Sequence, residues 1–360
     1  MYQARIQRVL DAMAVQGLSQ FLISDPNSIW YLTGYDVTPM ERMLILYLRK
    51  GQVPTLFVNR LFPVPEGPWE TVWYEDTDDC VSILADHVDT HAPMGIDKEW
   101  PARFLLPFMA RCPQCALASA CVDDARARKD NTEQALMREA SQINDIVMEK
   151  AAEQLQIDVT EQAVADFILN EYAAAGCEGP SFPPIVSFGP HAADPHHEPD
   201  STPLKPGDCI VLDIGCRKNR YCSDMTRTYF CGQPSEKHAA IHDLVRTANE
   251  LAEQAIRPGV PLRELDRIAR SHIAAAGYGE FFTHRLGHFI GQTDHEQGDV
   301  SAVTPLVAEP GMIFSIEPGV YLPGEFGVRV EDLVLVTEDG CELLNRVDKH
   351  WCRTGKRIQA

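Results

Sequence analysis

Apolar residues in the first 125 positions alternate between two spacings. Ile6, Leu10 and Met13 recur three and four apart and Gly17 ends the run, which predicts an opening amphipathic helix. Gln20-Phe-Leu-Ile-Ser24 is a short apolar run and predicts a strand. The stretches 42–48 and 54–58 predict two more strands around a turn at Lys50-Gly51. A helix over 81–87 and a short strand over 94–96 continue the alternation, so residues 1–125 read as an α/β domain. Val122-Asp-Asp-Ala-Arg-Ala-Arg-Lys-Asp-Asn131 is polar, short of large apolar side chains, and reads as a linker. A second domain over 126–360 follows.

In that second domain one order of elements occurs twice. Asn131 with Gln134 resembles a capping box, and Leu136, Ala140, Ile143, Val147 and Ala151 mark one face of a long helix. A second helix, Thr160 to Ala175, closed by Gly176, leads to a histidine-bearing loop and a hairpin over 208–230. Then come a helix from Ser235 to Ile256, stopped by Pro258-Gly259, and another from Leu262 to Ala276, closed by Gly277. A histidine-bearing segment and a hairpin over 311–337 complete the second cycle. The halves share architecture rather than letters. A pseudo-two-fold axis would bring the two hairpins together.

Each hairpin carries two carboxylates set among apolar residues: Asp213 and Asp224 in the first, Glu317 and Glu331 in the second. Strand side chains alternate faces, so Asp213 opposes Leu212 and Ile214, and Glu317 opposes Phe314 and Ile316. Arg329 shares a face with Glu331. Four acids in one apolar place repel one another unless cations join them. His288, flanked by Gly287 and Gly291, adds an imidazole. Oxygen-rich ligands with one imidazole suit two divalent ions of the Mn, Co, Fe or Zn type. Such ion pairs, roughly 3.5–4 Å apart, serve metal-assisted hydrolysis. His284 and His295 lie near His288, and His196 lies in a proline-rich loop poorly suited to a core.

Composition narrows the partners. A net charge of −20 argues against a nucleic-acid backbone or an anionic membrane. No apolar run reaches membrane-spanning length, and the first ten residues lack a signal-peptide core. Eleven cysteines, an odd number spread along the chain, fit reduced thiols in the cytoplasm. The Cys112-Pro-Gln-Cys115 motif sits at a proline-marked loop edge and reads as incidental thiols.

The residues around these ligands resemble the pita-bread metallopeptidase family, the fold of methionine aminopeptidase, aminopeptidase P and prolidase. The resemblance rests on Asp224-Met-Thr-Arg-Thr228 with Asp213 eleven positions earlier, on Gly287-His288 with His295-Glu296, on Phe314-Ser-Ile-Glu-Pro-Gly-Val-Tyr321, and on Gly327-Val-Arg-Val-Glu-Asp332. Tyr31-Leu-Thr-Gly34 and the α/β region resemble a creatinase-type N-terminal domain, which points to the Xaa-Pro-cleaving branch. The resemblance implies an α+β catalytic domain with pseudo-two-fold symmetry and a homodimer. It implies two divalent ions, manganese first, with cobalt, zinc or iron as alternatives, on Asp213, Asp224, His288, Glu317 and Glu331. A hydroxide activated by the ions would attack the carbonyl before proline in a di- or oligopeptide. Glu317 would move its proton to the leaving nitrogen, His196 and His295 would hold substrate and oxyanion, and Arg329 would line the site.

Two departures matter. The family's usual Gly-His-Gly-Ile-Gly is here Gly287-His-Phe-Ile-Gly291, so Phe289 is expected to narrow the pocket. Asp299 stands where many dipeptide-cleaving members carry an arginine that grips the substrate carboxylate. That leaves room for longer peptides or for a metal-dependent hydrolase of a small non-peptide amide. A catalytically inactive binding module of the same fold is the reading from another class.

Overall fold

The strand Gln20–Ile23 is buried along its whole length, because Phe21 and Ile23 enter one apolar cluster while Leu22 enters another on the opposite face. That alternation makes it the centre of a two-faced sheet. The computed structural model describes residues 3–351 and divides into two compact units, Met1–Arg126 and Ala127–Ala360. In the first unit the sheet runs Glu70–Tyr74, Thr55–Asn59, Ile45–Arg49, Gln20–Ile23, Met94–Ile96, Cys115–Leu117. Pairing is antiparallel on both sides of Ile45–Arg49 and parallel elsewhere. The opening helix spans Gln3–Val15 and buries Ile6, Val9 and Met13.

The expected strand at 42–48 begins only at Ile45. Met40 has φ of 53°, and Arg42 is turned to Asp76 at 2.7 Å, so the chain enters the sheet late. The expected linker is a correction. Residues Ala120–Ala127 form a helix whose Cys121, Val122 and Ala125 join the core of the first unit. Its charges are paired rather than solvated: Lys98 meets Asp123 at 2.7 Å and Arg126 meets Asp25 at 3.0 Å. In the second unit, Lys129 meets Glu296 at 3.2 Å.

The second unit contains helices Asn131–Gln154, Glu161–Ala174, Glu236–Gln254 and Leu262–Ala275. The first pair covers a three-stranded antiparallel sheet ordered Met225–Phe230, Cys209–Ile214, Ile185–Phe188. The second pair covers a five-stranded sheet ordered Glu296–Val300, Gly287–Phe289, Ile313–Ile316, Asp332–Val336, Cys341–Leu343. The capping box on the long helix uses Asp130 and Glu133, one residue before the expected pair. Asp130 Oδ1 accepts from the Glu133 amide, and Glu133 Oε2 accepts from the Asp130 amide. The buried face of that helix is Met137, Ala140, Ser141, Asn144, Val147, Met148 and Ala151, so Leu136 and Ile143 sit at its edge.

Candidate active site

Each carboxylate pair sits where two strands end at a small outer hairpin. Asp213 lies near the end of Cys209–Ile214, opposite Thr226, and Asp224 immediately precedes Met225–Phe230. Between them Cys216–Lys218 and Tyr221–Cys222 turn back at Asn219 and Arg220, whose φ angles are 49° and 69°. Glu317 follows Ile313–Ile316, and Glu331 precedes Asp332–Val336, with Gly319–Leu322 and Phe326–Arg329 between them. The hairpins are stitched together. The Glu331 amide donates to the Thr226 carbonyl at 3.2 Å, and the Thr226 hydroxyl to Glu331 Oε2 at 2.7 Å. Arg227 reaches the Glu331 carbonyl and the Asp332 carboxylate.

His288 Nε2 stands 3.5 Å from both Asp224 Oδ2 and Glu317 Oε1. Ligand atoms of Asp224, His288 and Glu331 lie within 4.8 Å of one another. Gly287 permits this, since a Cβ there would meet the Ser315 carbonyl oxygen at 1.9 Å. His288 Nδ1 faces the Phe289 carbonyl at 3.2 Å, an arrangement that assigns its proton to Nδ1 and leaves the Nε2 lone pair toward the carboxylates. Burial and the neighbouring His295 push His288 down to about 3, so the ring is neutral. Burial and then Glu331 and Asp213 hold Asp224 well above the usual carboxylate range. Glu331 is raised likewise by burial, Glu317 and Asp213. Burial, opposed by Arg329 and aided by Asp213, pushes Glu317 up to about 8.

Asp213 Oδ1, Asp224 Oδ1 and Glu331 Oε1 are buried without a hydrogen-bond partner among the described residues. Orphaned acceptors of this kind are costly unless something positive meets them. Oxygen donors with one imidazole lone pair fit divalent ions.

These groups line a cavity of about 590 Å³ together with His196, His284, Arg285, Asp294, His295 and Arg329. His295 stacks on His288 with centroids 3.8 Å apart. Arg329 is buried and donates to Asp213, to Thr226 Oγ1 at 3.0 Å and to the Tyr321 hydroxyl at 2.8 Å. His284 Nε2 meets the same hydroxyl at 2.9 Å. Two expectations fail here. Phe289 points away from the cavity into the core, 5.6 Å from the Phe314 ring, because its neighbour His288 takes the inward face. Asp299 is outside the cavity wall and accepts from the Ser301 hydroxyl at 2.9 Å.

Sequence reasoning missed Arg285, Asp294 and Glu161. Arg285 and Asp294 carried a signal, since each adjoins a histidine already singled out. Glu161 is fully buried, and its carboxylate accepts from the Phe188 amide at 2.7 Å and the Asp200 amide at 3.2 Å. It also meets His191 Nδ1 at 3.0 Å and His197 Nε2 at 2.8 Å. Glu161, His191, His197 and Asp200 form a second group with metal-ligand geometry. Here every Glu161 oxygen already has partners, so the group acts as a clamp on the loop that carries His196.

The model of metallopeptidase family M24 matches residues 135–338, and that of the creatinase/prolidase N-terminal domain matches residues 5–128. An uncharacterized peptidase of Staphylococcus haemolyticus is 35% identical over 356 residues, covering 96% of this chain and 100% of its own. Among solved structures, dipeptidase PepE from Mycobacterium ulcerans is 33% identical with a TM-score of 0.92, over 97% of this chain and 96% of that one. A recombinant prolidase from Thermococcus sibiricus is 31% identical with a TM-score of 0.89, over 97% and 98%.

Proposed function

The chain belongs to metallopeptidase family M24, and from that premise we propose that it hydrolyses the peptide bond preceding proline in short peptides, with two divalent ions as cofactor. The observation that carries this reading is the convergence of four carboxylates and a neutral imidazole, with three orphaned buried oxygens, on one cavity. Asp213, Asp224, His288, Glu317 and Glu331 would hold the ions. Ions bound there would polarise the substrate carbonyl and supply an acidified water near neutral pH. The substrate class in this proposal is supported by structural relatives named as a dipeptidase and a prolidase.

The protein's own residues do the rest. Glu317 takes a proton from the attacking water and delivers it to the proline nitrogen as the C–N bond breaks. His295 and His196 donate toward the carbonyl oxygen, where negative charge builds up. Arg329 limits the rotation of Asp213 by holding its Oδ2, and leaves Oδ1 without a partner among the described residues. Proline needs such a site because its nitrogen carries no hydrogen and its ring constrains the chain. Manganese as the native ion, a homodimer and a cytoplasmic setting belong to this proposal and rest on the family resemblance.

The test is a substrate panel of Xaa-Pro, Xaa-Pro-Yaa and proline-free peptides, each assayed with manganese, cobalt and zinc. Metal-dependent cleavage confined to bonds before proline is expected. Equal cleavage of proline-free peptides, or none of any peptide with any ion, overturns the reading.

A further inference from the structure

The described cysteines differ in what surrounds their sulfurs. Cys80, Cys115 and Cys341 are half-buried, and burial raises all three thiols, Cys115 to about 12 and Cys341 to about 11. Cys177 is also half-buried, yet its thiol is held below the usual range. The Cys216 thiol hydrogen-bonds it, which outweighs burial, and the Lys218 ammonium adds to this against Glu178 and Glu139. Lys218 Nζ donates to the Ala175 carbonyl at 3.1 Å and to the Gly176 carbonyl at 2.7 Å, so its charge sits beside Cys177.

The backbone holds the two cysteines in place. Cys216 lies opposite Pro180 in an antiparallel pair, and the Glu178 amide donates to the Arg217 carbonyl at 2.8 Å. The Cys177 amide donates to the Tyr172 carbonyl at 3.0 Å, and Cys177 packs against the apolar cluster that contains both Tyr172 and Cys216. Cys216 is fully buried. Its Sγ meets the Ala140 carbonyl at 3.4 Å and accepts from the Ser223 hydroxyl at 3.4 Å. A thiol that solvent reaches is thus backed by one that solvent does not reach. Reactive cysteines occur in such electropositive, partly exposed settings.

We propose that Cys177 and Cys216 are an oxidation site: hydrogen peroxide oxidises Cys177, and Cys216 then closes a reversible disulfide. The Cys177 thiolate sulfur attacks one peroxide oxygen, the O–O bond breaks, and the departing hydroxide takes up a proton to leave as water. The Cys216 sulfur then attacks the Cys177 sulfenic acid, its proton joins the leaving hydroxyl, and a second water departs as the S–S bond forms. The two thiols lose two electrons, and these reduce the peroxide to water. Sulfurs already in contact meet the reach that a disulfide demands. Cys112 and Cys115 supply the contrast, since burial and the neighbouring Cys112 both raise Cys115. The Cys177–Cys216 bond would tie together two segments that run into the cavity wall. Phe182 lies five residues after Cys177, and Asp213 three before Cys216. Such a pair would form whether or not the protein cleaves peptides.

Peptide mapping of the full-length protein under non-reducing conditions, after brief exposure to hydrogen peroxide near neutral pH, reads the bond directly. A Cys177–Cys216 cross-link that precedes any other, and that dithiothreitol reverses, is expected. On the reduced protein, iodoacetamide should label Cys177 about tenfold or more faster than Cys115 or Cys341, the consequence of a larger thiolate fraction. Cys216→Ala should leave a Cys177 sulfenic acid that dimedone traps, and Cys177→Ser should abolish both the cross-link and the adduct. The unmodified protein carries the deciding measurement, so neither variant has to fold. Absence of a Cys177–Cys216 cross-link there overturns the proposal, as does a Cys112–Cys115 cross-link that forms first. Labelling of Cys177 no faster than that of Cys341 overturns it as well.

Discussion

The two halves of the second unit solve one problem with opposite polarity. Each long helix carries a buried asparagine that holds the end of a carboxylate-bearing strand: Asn144 donates to the Ile214 carbonyl at 2.8 Å, and Asn249 to the Ile316 carbonyl at 2.7 Å. Each following helix then pins a histidine segment. In the first half Glu161 does so directly, by accepting from amide and ring nitrogens between Phe188 and Asp200. In the second half Arg270 donates to the Phe282 and His284 carbonyls at 2.9 Å, and Asp266 holds Arg270 in turn at 2.8 Å. A segment that offers N–H groups needs a carboxylate acceptor; one that offers carbonyls needs a guanidinium donor. Architecture repeats while the chemistry of the pin follows whichever backbone groups are left over.

The comparison breaks most severely at the carboxylates. Asp224→Asn and Glu331→Gln come from different halves, yet each should reduce turnover by more than about a hundredfold, a typical cost of losing even a group one step from the metal. Elemental analysis should show divalent ion lost in both. Retained activity in one variant would mean the halves contribute unequally. The pins come next. Arg270→Met frees the segment ending in His288 and should weaken metal affinity about tenfold or more. Glu161→Gln frees the loop bearing His196, so metal content should hold while KM rises about tenfold, the smaller end of that range. Similar metal loss in both variants would contradict this division.

The asparagines give a smaller, purely structural difference. Asn144 also accepts from the buried Tyr172 hydroxyl at 2.5 Å, whereas the Lys349 ammonium on Asn249 keeps Glu253 and Asp332 as partners. Asn144→Leu should therefore destabilise by about 1–3 kcal/mol more than Asn249→Leu, the cost of an unpaired buried polar group. Denaturant melts of the two variants decide it. The smallest effect is a pH slope. His242 lies seven residues before Asn249, where the first half has Met137 seven before Asn144. Both side chains are fully buried. Burial lowers His242 from 6.5 to about 4. The unfolded chain takes up that proton first, so this contribution to stability is lost as pH falls from 6.5 toward 4. His242→Met should flatten the dependence of melting temperature on pH in that window.

Much of the fold was legible because burial imposes a period. The alternation in Gln20–Ile23, the caps of the later helices and the glycines closing them are local facts, and their elements lie within a few residues of expectation. The failures share a cause. The stretch 122–131 looked solvated because its charges are polar letters, and their partners at Asp25, Lys98 and Glu296 are far along the chain. Asn144 and Glu161 stand outside any apolar period for the same reason. Both are buried, and both are satisfied by backbone groups that no local pattern reveals.

The order of residues by itself determined the two-cycle architecture, the pairing of acids within each hairpin and the identity of the imidazole between them. Hydrophobic period and turn chemistry act over a few neighbouring residues, so a linear reading suffices for them. Only the tertiary structure decided which wall residues face the cavity: Asp294 rather than Asp299, Arg285 beside His295, and Phe289 turned into the core. Those choices depend on which side of a strand meets a partner from elsewhere in the chain, and a shift of one residue reverses them.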